Sequence, residues 1–214
     1  MVTGASRTGK TSWVVDRVRS TRRLLVWDSA GEFADLHRCE RITDVRALAE
    51  AIKPGARARR LAFCVPVTAE HFGVFCRLAW VFICSHHPAT VVVEELADVT
   101  SPNKAPTWWG ELIRKGLRYG PDLYALTQRP AESDKTSIGN ASVLHVHQCA
   151  LEIDVAYMAK QLRVPFDQVD ELVPLQWIER DRRTKQLSTG SLTRRGTRRA
   201  RRASQYRELA TRGK

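Results

Sequence analysis

Short apolar runs alternate with longer amphipathic stretches along this chain, and that alternation sets the fold class. Leu24–Trp27, 61–67, Thr90–Val93, 123–126 and 142–148 are runs of mainly Val, Leu and other apolar residues. They do not alternate with polar residues, which is the pattern of strands buried on both faces of a parallel sheet. Between them, helical spacing predicts helices over 10–20, 44–53, 70–86, 107–119 and 154–162. Asp44 is placed as a helix cap, while Pro54-Gly55, Gly120-Pro121 and Pro165 are stops. Residues 176–192 alternate around Arg182-Arg183-Thr184-Lys185, which predicts a hairpin. The expected architecture is α/β, a mainly parallel sheet flanked by helices over residues 1–175. The hairpin at 176–192 and a tail at 193–214 follow it.

Composition adds a partner class. The 214 residues are 43% hydrophobic, enough for a core, and carry a net charge of +12. Nine Lys/Arg and one Glu lie in 193–214, leaving +4 for the first 192 residues. Such a basic block attracts polyanions, either nucleic acid or acidic lipid headgroups, or it serves only as a solvated tail. The five cysteines form no C-x-x-C pair, and Cys84-Ser85-His86-His87 has no standard zinc spacing, so it reads as a helix end. The longest apolar run, 72–84, contains Arg77 and is shorter than the roughly 20 residues of a membrane span. No signal peptide or transmembrane segment is expected, which points to a cytoplasmic or virion-associated protein.

The sharpest chemistry stands at the start of the chain. Gly4, Ala5, Ser6, Arg7, Thr8, Gly9, Lys10 and Thr11 fit G-x-x-x-x-G-K-[ST], a loop whose backbone N–H groups cradle phosphates. Lys10 would reach the β- and γ-phosphates of ATP, and Thr11 would offer a hydroxyl to Mg²⁺. Glu94 and Glu95 follow the run Thr90–Val93, where such sites place one acid for the metal and another for the lytic water. Gln128 ends another buried run and is a candidate γ-phosphate sensor. Asp28, after Leu24–Trp27, reads as turn and cap chemistry or as a group beside the nucleotide. His145 and His147 lie on one strand face as packed or exposed residues rather than ligands.

Taken together, these pieces resemble the FtsK/HerA-type branch of P-loop ATPases, and within it the genome-packaging ATPases of viruses. The resemblance is carried by Gly4 to Thr11, Asp28-Ser29-Ala30-Gly31-Glu32-Phe33, Glu94-Glu95, and Arg118-Tyr119-Gly120-Pro121-Asp122 leading to Leu126-Thr127-Gln128-Arg129-Pro130. It implies a RecA-like core, a homo-oligomeric ring with ATP between subunits, and translocation of double-stranded DNA. It also implies roles: Lys10 and Thr11 on phosphate and Mg²⁺, Glu94 on the metal, Glu95 as base, Gln128 as sensor, and Arg118 as a finger acting on the neighbour's ATP. The tail would meet DNA, a capsid vertex or membrane proteins. Glu94 stands where Asp is usual, and only Met1-Val2-Thr3 precede the loop. Two other readings remain open: a phage assembly and export ATPase of the zonula-occludens-toxin-like kind, and a nucleotide-binding module that does not hydrolyse.

Overall fold

The computed structural model describes residues 1–53, 59–85, 88–192 and 198–201. In chain order it contains β1 (Val2–Thr3), α1 (Lys10–Arg17), β2 (Leu24–Trp27), α2 (Glu32–Leu36), β3 (Glu40–Ile42), α3 (Val45–Ala51) and β4 (Arg60–Phe63). There follow α4 (Ala69–Ser85), β5 (Thr90–Val93), α5 (Thr107–Lys115), β6 (Asp122–Thr127), α6 (Lys135–Asn140) and β7 (Val143–His147). The last elements are α7 (Glu152–Leu162), α8 (Phe166–Asp170), β8 (Gln176–Asp181), β9 (Leu187–Leu192) and β10 (Arg198–Arg201). This is a mixed α/β architecture of mostly parallel strands with helices, the P-loop NTPase fold, with the expected hairpin at β8–β9. The Pro54-Gly55 stop, His86-His87 and the tail outside 198–201 lie beyond the described residues.

The chain forms two compact units. The first comprises 1–13, 128–131 and 141–214. Its sheet runs β10-β9-β8-β7-β1, parallel between β1 and β7 and antiparallel elsewhere. β1 is only two residues long, yet both are buried, and the Met1 nitrogen donates to the Val143 carbonyl at 2.9 Å.

The second unit comprises 14–127 and 132–140. Its strands β6-β5-β2-β4-β3 are all parallel. β2 and β5 are buried at every position, as uninterrupted apolar runs require. Against them Trp27 packs between Phe72 and Phe75, with ring centroids at 5.3 and 5.5 Å, and Phe72 continues to Trp109 at 5.7 Å. The indole N–H of Trp109 lies 2.8 Å from Ser137 Oγ and 3.2 Å from Asp134 Oδ2, so the aromatic core fixes the start of α6.

Several boundaries differ from the sequence expectation. α1 ends at Arg17 rather than at 20, and β4 ends at Phe63, ahead of the donorless Pro66. The helix expected over 107–119 is α5 to Lys115 and then a 3₁₀ turn, Gly116–Tyr119. Arg114 and Arg118 therefore do not share one α-helical face, because the tighter winding rotates Arg118 past it. β3, α2, α6, α8 and β10 are additions.

Candidate functional site

The phosphate loop is built entirely within the first unit. Gly4 has φ 144°, Arg7 φ 60° and Gly9 φ 116°, so the loop turns through backbone conformations that side chains with a Cβ rarely adopt. The Ala5 N–H donates to the Gln148 carbonyl at 2.7 Å, and the Leu175 N–H donates to the Thr8 carbonyl at 2.9 Å. The short β1 is thus supplemented by the end of β7 and the residue before β8. Thr8 Oγ1 and Lys10 Nζ both donate to the Ala5 carbonyl, at 2.8 and 2.9 Å. Lys10 is 6% exposed, its ammonium folded back over the loop where a phosphate oxygen would take the same hydrogen bond. Thr11 follows at the first turn of α1.

Beneath the loop lies a buried polar chain that the sequence did not announce as part of the site. A Cβ on Gly4 would stand 2.7 Å from His147 Cβ, and one on Gly9 would stand 3.1 Å from His147 Cε1 and 2.9 Å from Leu192 Cδ1. His147 Nδ1 bonds the Gln176 carbonyl at 3.0 Å, and a carbonyl only accepts, so this nitrogen carries the proton. Burial pushes His147 down to about 3, so the ring is neutral and its Nε2 accepts from His145 Nε2 at 3.2 Å. His145 Nδ1 then faces Glu179 Oε2 at 2.8 Å. Burial, and after it the Met1 amine, hold His145 well below the usual histidine range, while burial raises Glu179. Both partners of this contact are thus shifted toward their neutral forms. Trp13 of α1 stacks on His145 at 3.8 Å and Trp177 flanks it at 4.9 Å.

Gln128 also belongs to the first unit, in the segment 128–131. That segment is held by Asp154, which is 1% exposed and accepts the Ala131 N–H at 2.9 Å. Asp154 Oδ2 lies 3.3 Å from Arg129 Nε, which explains the arginine of the Thr127-Gln128-Arg129-Pro130 sequence. Cys149 is half-buried, and its thiol is pushed up to about 12 by burial and then by the Asp154 charge.

Glu94, Glu95 and Arg118 belong to the second unit. Trp27 pairs with Val93, so Asp28 and Glu94 emerge side by side from β2 and β5, and the Glu94 N–H donates to the Trp27 carbonyl at 3.2 Å. Glu94 is 7% exposed. Glu95 adopts φ 47°, ψ 60°, a left-handed conformation that costs a non-glycine residue about 1–3 kcal/mol and is concentrated at functional sites. Asp28 is fully buried. Its Oδ2 accepts from the Ala34 N–H at 3.0 Å and from the Cys64 thiol at 3.6 Å, while Oδ1 has no hydrogen-bond partner. Burial and the Asp28 charge push Cys64 up to about 12, so it remains a donor. The cap role expected of Asp28 is thus present, together with one carboxylate oxygen still able to accept. Arg118 is exposed, with its guanidinium 5.0 Å from the Tyr119 ring centroid.

Among the described residues no group of three or more His, Cys, Asp or Glu is arranged to hold a metal on its own. No helix among the described residues is long and apolar enough to cross a membrane.

The elements and the loop define a P-loop NTPase fold. The chain superposes on the genome-packaging NTPase B204 of Sulfolobus turreted icosahedral virus 2, solved with AMPPCP. The TM-score is 0.72 at 10% identity, covering 88% of this chain and 94% of that one. It also resembles EssC (ATPases 2 and 3) from Geobacillus thermodenitrificans, at TM-score 0.52 and 12% identity, over 84% of this chain and 37% of that one. In sequence it is similar to Protein P9 of Pseudoalteromonas phage PM2, 38% identical over 140 residues. That match takes in 64% of this chain and spans 62% of the length of P9. No protein-family model matches the chain.

Proposed function

We propose that this protein is an ATP-hydrolysing motor subunit that moves double-stranded DNA into a viral capsid. The observation that carries the reading is the loop itself, with Lys10 bonded at 2.9 Å to the Ala5 carbonyl and both glycines backed by His147. In this reading Gly4 to Thr11 hold the phosphates, and Lys10 exchanges the Ala5 carbonyl for phosphate oxygens. Thr11 and Glu94 hold Mg²⁺, which would neutralise charge developing on the β- and γ-phosphates. Glu95 takes the proton of the attacking water, Gln128 orients that water, and Arg118 acts on the ATP of the next subunit in a ring.

The similarity to a packaging NTPase solved with AMPPCP supports the nucleotide, and the similarity to P9 agrees with a viral setting. The basic tail would meet DNA, a capsid vertex or a membrane protein. Steady-state phosphate release from ATP, with and without duplex DNA, tests the proposal. Turnover that duplex DNA accelerates and Lys10→Ala abolishes is expected. Nucleotide binding without turnover would leave only a binding module.

A further inference from the structure

In the first unit, at the end of its hairpin away from the phosphate loop, the chain builds a basin of about 430 Å³. It is lined by Lys160, Gln161, Arg163, Arg180, Arg182 and Lys185. The volume lies within the ~300–1,000 Å³ range of small-molecule sites. Five of the six lining residues are cations and none is an acid.

Strand alternation produces this one-sided charge. On β8, Glu179 and Asp181 point to one face, where Glu179 meets His145 and Asp181 pairs with Arg183. Arg180, and Arg182 just past the strand end, point to the other, toward the end of α7. There Arg180 donates to the Leu162 carbonyl at 2.7 Å, and Arg182 to Gln161 Oε1 at 2.8 Å. Arg163 ends α7 in a left-handed conformation, φ 56°, which sets its stem beside them.

Like charges so gathered repel. Burial, followed by the Arg180 charge, depresses Arg182, and Arg163 depresses it further. An anion in the basin reverses that repulsion, and the planar forks of three arginines suit phosphate oxygens.

The basin is remote from the nucleotide loop. β8 runs antiparallel to β7, with Trp177 opposite His147 beside the loop and Asp181 opposite Val143 at the far end. Four residues of strand separate the two ends, about 13 Å.

We propose that this basin is a second phosphate site, which grips the phosphodiester backbone of nucleic acid on the side of the unit opposite the ATP loop. Its concavity and the absence of any aromatic or aliphatic anchor among its lining residues favour a phosphate polymer over a lipid surface. The choice of DNA rests on the motor reading above, whereas the affinity for phosphate follows from the basin alone.

The test compares the full-length triple variant Lys160→Gln/Arg163→Gln/Lys185→Gln with the charge-matched control Arg46→Gln/Arg77→Gln/Lys104→Gln; all six positions are exposed. In a Lys10→Ala background, which disables the loop, inorganic pyrophosphate should raise the melting temperature of the parent and the control but not of the basin variant. With Lys10 intact, the slope of log K against log salt for a 30-base-pair duplex should flatten by about 2–3 in the basin variant, at about 0.9 per phosphate lost. The control should lose less than 1. Equal losses in both variants overturn the site. A lost pyrophosphate effect with an unchanged duplex slope overturns the backbone assignment in favour of a free phosphate ligand. Reduced binding to phosphatidylserine vesicles with unchanged duplex binding overturns it in favour of lipid. Wild-type ATP turnover indifferent to DNA would count against the motor reading and leave the pyrophosphate result standing.

Discussion

The Cβ that Gly4 lacks would stand 2.7 Å from the Cβ of His147. Loop and strand are therefore fitted to each other at a separation only glycine allows, at φ 144°. Gly4→Ala should push the loop off β7 and away from the Gln148 carbonyl that holds Ala5. Strain of about 1–3 kcal/mol falling on the loop corresponds to roughly a 5- to 150-fold loss of ATP affinity. A nucleotide titration alongside circular dichroism checks this, with affinity falling while helix content is kept.

The buried histidines make stability pH-dependent. In the unfolded chain each takes up a proton near pH 6.5, whereas folded His147 resists protonation to about pH 3 and His145 is also shifted down. The folded protein thus binds fewer protons in that window. Their contribution is full above pH 6.5 and is lost as pH falls. His147 alone contributes about 1.4 kcal/mol per pH unit. Glu179 acts with the opposite sign, since its raised carboxyl favours the folded state at low pH and that advantage fades as pH rises through its folded value. Urea unfolding at pH 7, 5.5 and 4.5 should show a steep acid decline, flattened in His147→Gln. Parallel curves for the two proteins would contradict the buried neutral ring.

Asp154 is the anchor of the segment that carries Gln128. Asp154→Ala takes the acceptor from the Ala131 N–H and removes the ion pair with Arg129, a cost of about 1–3 kcal/mol in unfolding free energy. Turnover should fall with it, because the sensor loses its mooring. Denaturant midpoints and the ATPase rate, measured on the same sample, check both effects.

If Arg118 completes a neighbour's site, Arg118→Ala should lower turnover by about 10³-fold or more. Mixing Arg118→Ala subunits with Lys10→Ala subunits should restore part of it, since some interfaces then pair an intact loop with an intact arginine. Verified mixed oligomers that stay inactive would remove Arg118 from the role.

What was legible in the sequence was whatever local pattern dictates. Leu24–Trp27 and Thr90–Val93 are strands with the expected bounds because uninterrupted β-branched and apolar runs admit little else. The glycines and Lys10 marked the loop through chemistry specific to phosphate. β3 was not legible, because Glu40-Arg41-Ile42 offers a single apolar residue at a sheet edge. Nor was α6: Lys135–Asn140 has no helical periodicity, and it starts on Asp134, whose Oδ1 accepts the Ser137 N–H at 2.8 Å while Trp109 approaches Oδ2. His147 gave only an alternating pair on a strand. Its place under Gly4 depends on β7 lying beside β1, a pairing some 140 residues distant in sequence.

The central claim is that this chain hydrolyses ATP with Glu95 as the base, and one comparison tests it most directly. Single-turnover and steady-state phosphate release should be measured for the wild type and Glu95→Gln, each saturated with Mg·ATP and duplex DNA. The account predicts that Glu95→Gln binds nucleotide as tightly as the wild type but releases phosphate about 10²-fold more slowly or worse. Equal rates in the two proteins, or a wild type that binds ATP and releases no phosphate, would contradict it.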